Sequence, residues 1–159
     1  MVLRYIKIML AGFIALLGIF YAAENLHNLP AAFNTVSAVL SMQGHDYYPN
    51  AIGPAIHAPW LVWTAVAVII SGELGGGVIA AKGAWDMWRT RAVSDFNDAK
   101  HMLYVGSGVL LIVWFGFFTV IGGAYFAMWQ TELGAMSLEG AFQFLGSVAL
   151  VTLFISATD

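Results

Sequence analysis

The 159-residue chain has no cysteine, only four prolines, and charged side chains at just 9% of its positions. Without cysteine it cannot form a disulfide, attach a c-type haem or ligate an iron–sulfur cluster. Six Lys and Arg against nine Asp and Glu leave a formal charge of −3. No basic patch exists to hold a polyanion, which excludes a nucleic-acid partner. What fills the chain is hydrocarbon: 60% of the residues are hydrophobic, and the mean hydropathy is +0.80. A water-soluble domain of this length does not have that composition. The class is an all-α integral membrane protein, one membrane domain over residues 1–159, and its first partner is the lipid bilayer.

A helix needs about 20 mainly apolar residues to cross roughly 30 Å of hydrocarbon. Four runs qualify, at about 5–24, 58–81, 102–130 and 140–158, and they predict four transmembrane helices in a bundle. Lys7 and Glu24 lie at the two ends of the first run, and Glu73 is the one charge in the interior of any of them. All six basic residues fall in two places: Arg4 and Lys7 before the first run, and Lys82, Arg89, Arg91 and Lys100 between the second and third. The positive-inside rule then puts both termini and the middle loop in the cytoplasm, with the 25–57 and 131–139 connections on the periplasmic side of an inner membrane. Trp60, Trp63, Trp85, Trp88 and Trp129 sit at the expected interfaces. Lys7 is expected to snorkel toward the headgroups. The first run has the basic start and Ala22-Ala23 of a signal peptide, but Tyr21 is a poor residue for the −3 position, so the segment is expected to be retained.

Within the first outer connection, Pro30 to Met42 reads as a short amphipathic helix. Pro30 suits a first turn, and Phe33, Val36, Val39 and Leu40 recur at helical spacing. It is expected to lie along the membrane surface. The segment 44–59 holds three prolines and two glycines, which enforce turns and extended backbone. On the inner side, Asp86 and Arg89 lie one turn apart, and Ser94 resembles the N-cap of a helix entering the third span. Gly72 and Gly76 form a small-xxx-small face suited to close packing of the second and third spans.

Several strings resemble one bacterial family. They are G-H-D-Y-Y-P-N (44–50), G-E-L-G-G-G (72–77), G-A-W-D-M-W-R-T-R (83–91), F-N-D-A-K (96–100), V-W-F-G-F-F-T-V-I-G-G (113–123) and M-W-Q-T-E-L-G with L-E-G-A-F (128–142). Over nearly its whole length the chain is similar to the "predicted small integral membrane protein" family, domain of unknown function 2165. The resemblance implies a four-span inner-membrane protein without an assigned reaction.

Two constellations carry candidate chemistry. Glu73 lies near mid-bilayer, where an ionised carboxylate costs roughly 2.5–3.5 kcal/mol on insertion scales. No basic residue of the chain shares its depth. Two arrangements satisfy it: a protonated acid hydrogen-bonded to Trp114, Thr119 or Ser107, or contact with a cation or donor from another subunit. Proton or ion transport is a third use. The other constellation is outer: Glu24 and His27 three apart at the end of the first span, then His45, Asp46 and His57. A Glu-x-x-His pair projects both side chains from one helical face, as in di-iron bundles, and imidazole with carboxylate suits a transition metal. Haem b would need His27 and His57 at matched depth, His101 being at the inner end. A quinone would meet Tyr47, Tyr48 and Trp60. No nucleophile triad or phosphate loop occurs, which disfavours an enzyme. The expected role is an accessory or stabilising subunit packed against other membrane-protein subunits of a larger complex, such as a respiratory one. The competing expectation is a metal-, haem- or quinone-binding redox protein using the outer Glu/His cluster.

Overall fold

The computed structural model describes residues 1–48 and 50–158. Pro49, one of the prolines expected to shape the outer loop, lies outside the described residues. The described residues form helices and connections alone: α1 (Val2–His27), α2 (Leu29–Leu40), α3 (Pro59–Arg89), α4 (His101–Leu111, continued by a π-helical stretch Ile112–Tyr125) and α5 (Glu132–Ser156). Four of the helical segments are long and apolar enough to cross a membrane.

α3 is the spine, and glycine puts it there. A Cβ on Gly76 would lie 2.8 Å from Leu110 Cγ and 3.1 Å from the Gly106 carbonyl oxygen, and one on Gly106 would lie 2.4 Å from the Ala80 nitrogen. On its other side, Gly77 would meet the Ile19 nitrogen at 2.8 Å, and Gly18 of α1 would meet the Glu73 carbonyl oxygen at 2.7 Å. A Cβ on Gly72 would run into the Val113 side chain at 2.5 Å. Lipid tails are as apolar as leucine, so helices in a membrane gain by packing density rather than by escape from water, and bare backbone allows the closest approach.

α2 departs from the expected surface helix. The chain turns at Asn28 with no intervening loop, and Leu29, Ala32 and Val36 pack on Val66 and Ile70 of α3. Phe33 stacks against Trp63 with centroids 4.7 Å apart, and the Ile56 amide donates to the Leu40 carbonyl. α2 therefore runs antiparallel along the N-terminal half of α3, and α1 and α2 together flank that helix from end to end. α2 ends in a Schellman motif, Gln43 N–H bonding to Ala38 O and Met42 N–H to Val39 O, with Met42 in the left-handed region at φ 54°.

The end of the bundle where both termini meet is tied by bases. Lys7 is fully buried and its Nζ donates to the Ala157 carbonyl rather than reaching outward to headgroups. Lys100 donates to the same oxygen at 2.8 Å and to Asn97 Oδ1 at 2.8 Å. Arg4 donates to the carbonyls of Arg91 and Val93 and lies over the Phe96 ring. The N-terminus, the middle loop and the end of α5 thus meet at one end of the bundle. Asp86 pairs with Lys82, one turn before it, not with Arg89. Ser94 caps no long helix: two short 3-10 turns, Ser94–Phe96 and Asp98–Lys100, precede α4, and the Ser94 hydroxyl donates to Asp95.

The third span stops earlier than its uncharged run. Beyond Leu111 the backbone bonds shift toward i→i−5, as in Phe126 N–H to Ile121 O, and the chain breaks at Ala127, whose φ of 54° and ψ of 38° are left-handed. A run with no polar side to mark its turns carries no signal for such a change of pitch. α5 begins at Glu132 rather than near 140, because Thr131 accepts a bond from the Gly134 amide as a true N-cap. Its buried positions are Gly134, Ala141, Val148 and Ile155. That seven-residue spacing makes one narrow seam, supplemented by Thr152 donating to Ser107 at 2.9 Å.

Candidate functional site around Glu73

Glu73 is 2% exposed, halfway along α3. Its donor comes from within the chain: Asn25 Nδ2 donates to Glu73 Oε2 at 2.9 Å across 48 positions. The antiparallel meeting of α1 and α3 brings them together, because the glycine contacts below let the two axes close up. The Trp114 indole stands beside the same carboxyl group. Around them stands an aromatic cluster, with Tyr21 at 6.2 Å from Trp114 and 4.3 Å from Phe144, and Trp114 at 5.4 Å from Phe144. These rings close the site toward α5.

Of the three partners expected for Glu73, only Trp114 stands beside it. Thr119 donates to the Trp114 carbonyl, and Ser107 is engaged by Thr152. Asn25, Tyr21 and Phe144 are the members that residue spacing did not single out. An amide next to the end of an apolar run looks like any loop residue, so nothing local marks Asn25.

Above Asn25 a cavity of about 310 Å³ opens between the α1–α2 turn, α3 and the π-helical stretch. Tyr21, Glu24, Asn25, Asn28 and Thr35 give it a polar wall, and Val66, Ile69, Ile70 and Phe118 an apolar one. Toward the end where the termini meet, Gly18 and Gly77 bring α1 and α3 into backbone contact, so no space lies between those two helices below Glu73.

The outer Glu/His residues go to separate tasks. Glu24 accepts from Asn28 at 3.4 Å, and the His27 ring bonds the Ala23 carbonyl at 2.9 Å. His45 faces a different cavity, of about 400 Å³, lined by Met42, Tyr48, Tyr125 and Trp129, and its buried Nδ1 has no partner among the described residues. His57 is exposed in the loop before α3. Among the described residues no group of three or more His, Asp or Glu side chains is placed to hold a metal ion. Tyr48 meets the Trp129 ring edge-on, with centroids 5.3 Å apart, and its amide donates to Gln130, away from Trp60.

No curated protein and no solved structure matches the chain. A family model matches residues 3–158, in keeping with the four apolar helices and the strings along them, and the chain belongs to the family described as predicted small integral membrane protein, domain of unknown function 2165.

Proposed function

We propose that this protein is a non-catalytic accessory subunit of the bacterial inner membrane, both termini cytoplasmic, that packs against a larger membrane complex through α5. The observation that carries this reading is a polar stripe on the outside of that helix. Glu139, Gln143 and Ser147 are all exposed and stand four residues apart, on one face. Gln143 is 11 residues from the start of a 25-residue helix, near mid-depth, and its amide makes no hydrogen bond among the described residues. A primary amide left unpaired in hydrocarbon costs several kcal/mol, on the order of 4–8 by transfer to cyclohexane. Polar side chains in a membrane face protein or water, so this stripe calls for a neighbouring helix with matching donors and acceptors.

Packing supports the same face. Only 17% of the most apolar stretch of α5 is buried, against 33–39% in the other spans. Ser147 also lines a groove of about 190 Å³ between α1 and α5, with Phe13, Leu17 and Val151. The orientation rests on the placement of the six bases, which lie at the end where both termini meet.

The test is a photoreactive residue at Gln143, activated in intact membranes. Cross-linking to a different polypeptide is the expected result. Labelling of lipid alone, or of a second copy of this chain alone, refutes the reading.

A further inference from the structure

The cavity above Asn25 has a chemical bias. Asn25 turns its amide donors to Glu73, so its carbonyl Oδ1 is directed elsewhere, and the residue lines the cavity. The Glu24 carboxylate stands at the mouth with Thr35, and no Lys or Arg lines the space. All six bases of the chain are at the opposite end of the bundle. One wall therefore offers acceptors and negative charge, while Ile69 and Phe118 on the other side offer hydrocarbon. An anionic ligand would find no counter-charge there. A cationic donor with an apolar stem would find both of its needs met.

Below Glu73 the α1 and α3 backbones touch at Gly18 and Gly77, so no space lies between those two helices there.

We propose that this cavity binds a primary ammonium group carried on an alkyl chain, the ammonium held between the Glu24 carboxylate and Asn25 Oδ1 and the stem lying along Ile69 and Phe118. Glu73 acts as a positioning residue, fixing the Asn25 amide so that its acceptor is presented to the cavity. At about 310 Å³ the space holds roughly ten water-sized groups, which matches an ammonium with a chain of about eight to ten carbons. The same chemistry is presented by a free alkylamine and by the amino headgroup of a phospholipid.

Titration calorimetry of the full chain in a neutral maltoside detergent, with decylammonium as the probe, tests this. Saturable binding of one decylammonium per chain is expected, with decanol at least about tenfold weaker. Glu24→Gln, at an exposed position, weakens decylammonium about tenfold, and Ala31→Trp, on the exposed rim, blocks it by size. Mass spectrometry of lipids retained on the protein separates the sources: enrichment of phosphatidylethanolamine over phosphatidylcholine assigns the ammonium to a headgroup, and no enrichment assigns it to a free amine. Equal binding of decanol, absence of saturable binding, or indifference to both substitutions overturns the proposal.

Discussion

Asn25 and Glu73 form a hydrogen bond of 2.9 Å that joins the outer end of the first helix to the middle of the third. Because the acceptor is buried, removing the donor leaves an unsatisfied group in an apolar site. Asn25→Leu should lower stability by about 1–3 kcal/mol. A double-mutant cycle with Glu73→Leu should return a coupling on the order of 1 kcal/mol, within the range measured between membrane helices. Thermal unfolding in detergent reads both, and strictly additive single effects would show that the bond contributes nothing.

Lys7 and Lys100 converge on one carbonyl oxygen, that of Ala157, just past the end of α5. Helix C-termini carry partial negative charge and unpaired carbonyls, so two ammonium groups there act as a cap. Lys100→Met should destabilise the chain by about 2 kcal/mol and speed amide hydrogen exchange in the last turn of α5 before any other segment. Uniform acceleration through all the helices would contradict that local role.

Two glycines two positions apart in α4 differ sharply in surroundings. A Cβ at Gly106 meets the Ala80 backbone, whereas one at Gly108 meets nothing within 4 Å. Gly106→Ala should separate α3 from α4 and cost about 2 kcal/mol or more. Gly108→Ala should be neutral or stabilising by up to roughly 1 kcal/mol, since glycine is a poor helix former. Equal melting temperatures for the two variants would remove the close-packing argument for α3.

Met42 holds a left-handed conformation at the end of α2, where glycine is unstrained. Met42→Gly should raise stability by about 1 kcal/mol, measured as an upward shift of the melting temperature.

The lack of cysteine makes orientation directly measurable. Single cysteines at Gln43 and Asp95, on opposite connections, would be treated with a membrane-impermeant maleimide from the periplasmic side. Labelling at 43 and protection at 95 are expected, and the reverse pattern would invert the topology.

The four spans and the meeting of both termini at one end were legible because they depend on coarse quantities, the length of apolar runs and the positions of six bases. The finer arrangement was not. Glu139 reads as a loop residue, since a charge ordinarily ends an apolar run, and the Thr131 cap that extends α5 outward to include it is a local geometric device. The i→i−5 stretch is silent because every face of Ile112–Tyr125 is apolar. Glu73 announced itself as expensive, but its partner Asn25 is an uncharged amide 48 positions away, and only the close approach of α1 and α3 brings the two together.

The seven-residue seam of α5 bears on the order of assembly. In the two-stage view of membrane folding, helices insert separately and then associate side by side. α1, α3 and α4 interlock through bare backbone, so that trio is the part that holds as a unit. α5 meets it through side chains, with Ala141, Val148 and Ile155 buried in the seam and Phe144 and Thr152 beside it, so α5 is expected to join last and leave first. Sideways departure of a single helix would open the Tyr21–Trp114–Phe144 wall to lipid while leaving the other contacts in place, and a protein docked on the outer face of α5 would oppose that opening by mass action.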